Sequence, residues 1–120
     1  MRIPKIIHQK WNDEHVPEVF QMLSQTWREM LPDWEYHLWT DETTREFVRT
    51  NFPNFLMRYD AYPKDIQRTD SVRYLILKTH GGLYVDMDFE CLKPEFVTLL
   101  ENASFVIGKE PHSHAKKQGK

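Results

Sequence analysis

An α/β fold, with a largely parallel sheet covered by helices, is what this sequence predicts, and three observations predict it. Short β-branched or aromatic runs alternate with longer segments whose apolar residues recur every three or four positions. Proline, aspartate and a paired glycine punctuate the joins between them. No internal repeat, low-complexity stretch or Gly/Ser linker interrupts the alternation.

Taken in order, Lys5 to Gln9 follows Pro4 and reads as a first, buried strand. Pro17 opens a helix in which Val19, Phe20, Leu23, Trp27 and Met30 share a face, and Pro32-Asp33 ends it. Tyr36 to Thr40 is a second strand, with Asp41 as N-cap of a helix through Arg45, Phe47 and Val48. Asn51 to Tyr62, which contains Pro53, reads as either a short helix or a packed loop. Pro63 suits the first turn of a helix from Lys64 to His80, which Gly81-Gly82 stop. Leu83-Tyr84-Val85 is a third strand running straight into Asp86. Cys91 to Pro94 lead toward a helix from Glu95 to Glu101 and a last strand from Ser104 to Ile107. His8, Trp27, Trp34, Trp39 and Cys91 read as core, while His112 and His114 belong to a solvated tail.

Length and charge exclude several classes. A chain of 120 residues is one domain by default. A formal net charge of -2, with clustered lysines only at Lys116, Lys117 and Lys120, lacks the basic excess that holds a phosphate backbone, so no nucleic acid is expected. The single cysteine, Cys91, has no partner for an internal disulfide and fits a reducing compartment. No run reaches the length a membrane-spanning helix needs, and no apolar leader follows Met1.

The chemistry gathers where the third strand ends. In an extended chain residues two apart point the same way, so Asp86 and Asp88 would present two carboxylates to one ligand with Met87 turned to the core. Carboxylate oxygens suit Mg²⁺ or Mn²⁺, hard ions that complete their shells with water and substrate phosphates. Such a triplet also arises by chance on solvated turns. Its position after a Gly-Gly turn, at the carboxyl end of a strand, is where open α/β sheets bind ligands. On the preceding helix Asp70 and Arg73 lie three apart and share a face. They read as a surface pair of little worth. Alternatively, among Ile66, Val72, Tyr74, Leu75, Ile76 and Leu77, they form a partly buried pair whose guanidinium offers a planar fork to phosphate or sugar.

Four blocks in order carry a resemblance: Ile3 to Trp11, Leu38 to Asp41, Ile66 to Tyr74, and Gly81 to Asp88. From Ile3 to about Pro94 the chain resembles the DxD sugar-binding glycosyltransferases, which include yeast-type Golgi mannosyltransferases, bacterial capsule and lipopolysaccharide transferases and, more distantly, glucosylating clostridial toxins. The resemblance implies a GT-A, Rossmann-like nucleotide-sugar-binding sheet. Residues 1–111 would be the donor-binding, N-terminal portion of that fold and residues 112–120 a polar tail. It further implies a nucleotide-sugar donor, a glycan or lipid-linked acceptor, a divalent ion (Mn²⁺, or Mg²⁺) and retention at the anomeric carbon.

Carried over by residue, Trp11 stacks on the donor's base, and Asp70 and Arg73 hold the sugar and the phosphate side. Tyr84 lines the pocket, Asp86 contacts ribose or sugar and reaches the metal through water, and Asp88 is the direct metal ligand. Asp70, Arg73, Asp86 and Asp88 are then the catalytic set, with Asp70 the nearest candidate should a nucleophile be needed. Bacterial likeness, with the blocks starting just after Met1, points to surface-polysaccharide synthesis in the cytoplasm or at the periphery of a bacterial cytoplasmic membrane. As the donor half of a longer enzyme, the chain is expected to bind donor weakly, transfer slowly and self-associate through an open apolar edge. A nucleotide-sugar-binding module without transfer is the main alternative. A purely structural domain is another, and an aspartyl-phosphate phosphohydrolase is disfavoured because Phe89-Glu90 replace the small hydroxyl pattern expected after Asp88.

Overall fold

The computed structural model describes residues 4–91 and 106–107. Their elements run β1 (Ile6–Lys10), α1 (Glu18–Met30), β2 (Glu35–Trp39), α2 (Asp41–Asn51), a 3₁₀ turn (Pro53–Phe55), α3 (Leu56–Ala61), α4 (Asp65–His80), β3 (Leu83–Tyr84) and β4 (Val106–Ile107). The four strands form one parallel sheet in the order β2-β1-β3-β4. This is the mixed α/β architecture that the alternation predicts, a small parallel sheet flanked by helices as in part of a GT-A fold.

Strand pleating divides the core in two. Ile7, Leu83 and Val85 point to one face and pack with Trp27, Leu31 and Cys91, so α1 covers that side. Trp39 and Tyr84 point to the other, where Phe47, Val48, Tyr59, Val72, Ile76 and Leu77 of α2, α3 and α4 meet them. Trp27, Trp39 and Cys91 are thus core residues, as read from the sequence, and Trp34 is half-buried against the α1 side.

Local differences from the sequence reading have physical causes. Thr40, not Asp41, caps α2: its hydroxyl accepts from the Thr43 N–H at 3.2 Å while the Thr43 hydroxyl accepts from the Thr40 N–H at 2.8 Å, and Asp41 becomes the first helical residue. Pro63 lies outside α4, whose first turn is capped by Gln67 Oε1 accepting from the Lys64 N–H. Val19 and Met30, expected on the buried stripe of α1, are 58% and 44% exposed. Asn51 to Tyr62 resolves into the 3₁₀ turn and α3. Arg68 explains why so short a helix holds, since its Nη1 donates to the carbonyls of Tyr59, Asp60 and Tyr62 that α3 leaves unpaired at its end. The helix expected at Glu95 to Glu101, residues Ser104 and Phe105 of the last strand, and the tail with His112 and His114 lie outside the described residues.

Two contacts seat β3 against β1. Gly81 and Gly82 have φ of +69° and +97°, and a Cβ on Gly82 would stand 2.5 Å from the Ile6 carbonyl oxygen. Only glycine permits the approach. Behind it, His8 is buried with both ring nitrogens in use. Trp39 Nε1, which can only donate, lies 3.1 Å from His8 Nδ1, so Nδ1 is unprotonated and Nε2–H donates to the Gly81 carbonyl at 2.9 Å. The neutral imidazole therefore ties β1 to β2 and to the turn before β3.

Burial holds the His8 pKa down at about 4, against an ordinary value of 6.5, and His37 and His80 add repulsion in the same direction. The unfolded chain takes up this proton near pH 6.5 and the folded chain only near pH 4, so the contribution is complete above pH 6.5 and is lost as pH falls toward 4. We expect urea unfolding to show about 3 kcal/mol less stability at pH 4 than at pH 7 from this group, and His8→Gln to remove that part of the pH dependence. An identical pH profile in parent and variant would refute it. Gly82→Ala is expected to cost about 1–3 kcal/mol from backbone strain alone, and an unchanged melting temperature would show that the turn has another conformation.

Candidate functional site

In this strand order β1 is followed on one side by β2 and on the other by β3. The carboxyl ends of β1 and β3 thus flank a topological switch point, where open α/β sheets form a ligand crevice. A cavity of about 330 Å³ opens there. Lys10, Trp11 and Asn12 line it from the end of β1, Phe20 from α1, Thr69 from α4, and Tyr84 to Asp88 from the end of β3.

Each wall has a local cause. The Trp11 N–H donates to the Trp39 carbonyl at 2.9 Å, extending the β1–β2 ladder one step, and its half-buried ring packs on Phe20 with centroids 5.1 Å apart. Opposite, the Val85 N–H donates to the His8 carbonyl at 2.9 Å, after which the chain leaves the sheet. The Phe89 N–H then donates back to the Asp86 carbonyl at 3.1 Å, closing a four-residue turn. The two carboxylates are therefore brought to one cavity by a turn, and not by the pleat of an extended strand as the sequence suggests, because among the described residues no strand continues the ladder past Val85. Met87 is buried as expected. Asp86 keeps a quarter of its side chain exposed, and Asp88 is exposed.

Arg73 pairs with the turn. Its Nη2 lies 3.3 Å from Asp86 Oδ1 and 3.9 Å from Asp70 Oδ1, and the guanidinium sits over the Tyr84 ring, 5.0 Å from the centroid. The helical i, i+3 pair read from the sequence is thus looser than the tertiary one. Asp70 is 64% exposed at its side chain, between exposed Ile66 and Tyr74 on the same helical face, so the apolar enclosure expected around it is missing on that side. Neither Asp70 nor Arg73 lines the cavity; Arg73 backs it through Asp86 and Tyr84. Its Nε is buried and unpartnered among the described residues. Burial pushes the Tyr84 hydroxyl up to about 12, so this ring is a neutral wall and no acid or base.

A second, polar cavity of about 420 Å³ shares Lys10 and Thr69 with the first. Lys10 pairs with Asp41 at 2.7 Å, Arg45 with Asp60 at 2.8 Å and Arg68 with Asp65 at 2.6 Å along its wall. Sequence reasoning missed Lys10, Thr69 and the buried Gln9. The available signal was a lysine and a glutamine ending an otherwise β-branched strand beside Trp11. Among the described residues no cluster of three or more His, Cys, Asp or Glu side chains forms a self-sufficient metal cage. Two carboxylates fit instead an ion shared with a ligand's phosphates, the usual manner of Mg²⁺.

Comparison with known proteins shows the family. The family described as "Glycosyltransferase sugar-binding region containing DXD motif" matches residues 17–106. The chain is 49% identical over 89 residues to inositol phosphoceramide mannosyltransferase 3 of Schizosaccharomyces pombe, covering 74% of this chain and 25% of that protein. It is 43% identical over 89 residues to a mannosyl phosphorylinositol ceramide synthase of Saccharomyces cerevisiae, covering 74% and 23%. To the initiation-specific alpha-1,6-mannosyltransferase of the same yeast it is 32% identical over 100 residues, covering 77% and 21%. The chain thus spans about a quarter of the length of these relatives. No solved structure matches. These relatives are eukaryotic, which overturns the expected bacterial cytoplasmic setting. That expectation rested on the blocks starting just after Met1, and the position of a first methionine carries no information about compartment.

Proposed function

Since the chain belongs to the glycosyltransferase sugar-binding family that contains a DXD motif, we propose that the crevice between β1 and β3 binds a nucleotide-sugar donor for hexosyl transfer. The observation that carries this reading is the meeting of Trp11, from the end of β1, and the Asp86–Asp88 turn, from the end of β3, on one cavity across the switch point. A flat aromatic face at one end and paired carboxylates at the other match the two ends of a nucleoside diphosphate.

In this reading the Trp11 ring, backed by Phe20, stacks on the base. Asp86 and Asp88 would hold Mn²⁺ or Mg²⁺ together with phosphate oxygens, and the ion supplies charge neutralisation as the diphosphate departs. Arg73 adds a second cation on the sugar–phosphate side and holds the Asp86 carboxylate in place. Asp70 accepts from sugar hydroxyls. Transfer proceeds with retention, through an oxocarbenium-like state that needs no enzymatic nucleophile. The names of the relatives make mannose the sugar, and an inositol phosphoceramide-type lipid the acceptor, to test first.

Calorimetry of GDP and UDP, each with and without Mn²⁺, tests the donor site. Asp88→Ala is expected to abolish the Mn²⁺-dependent part of the affinity while the fold remains, and undiminished Mn²⁺ dependence would sink the assignment. Trp11→Ala is expected to weaken metal-free nucleotide by about 1–3 kcal/mol, the range for a base stacked on an aromatic ring. Equal affinities would return Trp11 to a packing role beside Phe20.

A further inference from the structure

Among the described residues no strand lies beside the Asp86–Phe89 turn, yet its backbone is held from below. The Asp86 carbonyl accepts from the Phe89 N–H and also from Gln9 Nε2, at 3.3 Å. Gln9 is 0% exposed, and an uncharged amide so deep in a β-branched strand needs partners for both ends. Its Oε1 accepts from the Tyr36 hydroxyl at 2.9 Å, and that hydroxyl accepts from Ser24 Oγ at 2.9 Å. The result is a one-way donor chain, from Ser24 on α1 through Tyr36 on β2 and Gln9 on β1 to the carbonyl of Asp86. Each member has a single compatible orientation, since a hydroxyl has one proton and the amide oxygen is already engaged. Burial raises the Tyr36 pKa, so the hydroxyl keeps the proton the chain requires. Arg28 lies over the Tyr36 ring at 4.8 Å and confines it from outside.

Helix α1 grips the same turn twice more. Trp27 Nε1 donates to the Phe89 carbonyl at 3.1 Å, and Thr26 Oγ1 accepts from the Cys91 N–H at 2.8 Å. Side chains from two elements, β1 and α1, thus converge on the backbone of the two-carboxylate turn and the residues just after it, where an interior would need only apolar filling.

We propose that Gln9, oriented through Tyr36 by Ser24, is a positioning residue that sets the Asp86–Asp88 carboxylates for metal and diphosphate. The inference rests on the donor-site reading above. Gln9 and Tyr36 touch neither ion nor nucleotide; they act through the Asp86 carbonyl, and the effect of losing them falls on metal-dependent affinity and not on base stacking.

The test is calorimetric titration of GDP and UDP, with and without Mn²⁺, into the parent chain, Gln9→Met, Tyr36→Phe and Asp88→Ala. Gln9→Met keeps length and burial but removes the donor, and Tyr36→Phe removes one oxygen, so the second variant serves if the first does not fold. Loss of an outer partner of a metal ligand commonly weakens metal affinity roughly 10–100-fold. That loss is expected for Mn²⁺-dependent binding in Gln9→Met, with a smaller loss in Tyr36→Phe, while metal-free affinity and the number of sites per chain stay at parent values. A merely structural role would reduce the number of sites or weaken both modes together, and either result overturns the proposal. So would Mn²⁺-dependent affinities equal to the parent's in both variants while Asp88→Ala loses it. Absence of Mn²⁺-dependent binding in the parent would instead bring down the donor-site reading itself, and the positioning role with it.

Discussion

The site depends on β3 lying directly beside β1. Only two residue pairs, Ile7 with Leu83 and His8 with Tyr84, make that register, and Gly82 passes so close to the Ile6 carbonyl that no side chain fits. Parallel pairing places both carboxyl ends at one edge of the sheet, so whatever follows β1 and β3 must face each other. Trp11 and the Asp86–Asp88 turn are what follow. The neutral His8, held between Trp39 and Gly81, keeps the short register from slipping.

Much of this was legible in the sequence, because the signals were local. Proline before α1, the Gly-Gly stop after α4 and the β-branched run at Ile6-Ile7 reflect backbone preferences that tertiary packing did not override. What was not legible depended on which residues the chain brings together. Asp86 draws Arg73 away from Asp70 because it arrives from another element at 3.3 Å, a partner that helical spacing cannot reveal. The exposure of Ile66 and Tyr74 beside Asp70, and of Val19 and Met30 on α1, was likewise invisible, since amphipathic spacing shows a face without showing how wide the neighbour is that covers it. The turn at Asp86 was read as strand because the triplet itself does not say where the neighbouring ladder ends.

Gln9 and Lys10 illustrate the same limit at the level of single residues. Both end β1, and a sequence reader sees two polar residues closing a strand. The fold sends them to different tasks, Gln9 inward to a carbonyl and Lys10 to the wall between two cavities. Alternation alone would have placed them on opposite faces; only the partners distinguish a hydrogen-bond relay from an ion pair.

The paired charges along the second cavity have a consequence for how a ligand arrives. Lys10, Arg45 and Arg68 are each matched by a carboxylate, Asp41, Asp60 and Asp65, so their fields largely cancel beyond a few ångströms. An anionic ligand approaching this wall from solution therefore gains little long-range attraction from these pairs. Recognition is then a short-range affair. At this wall the pairs give ionic strength little to screen, and what keeps a ligand is decided by contacts within the crevice.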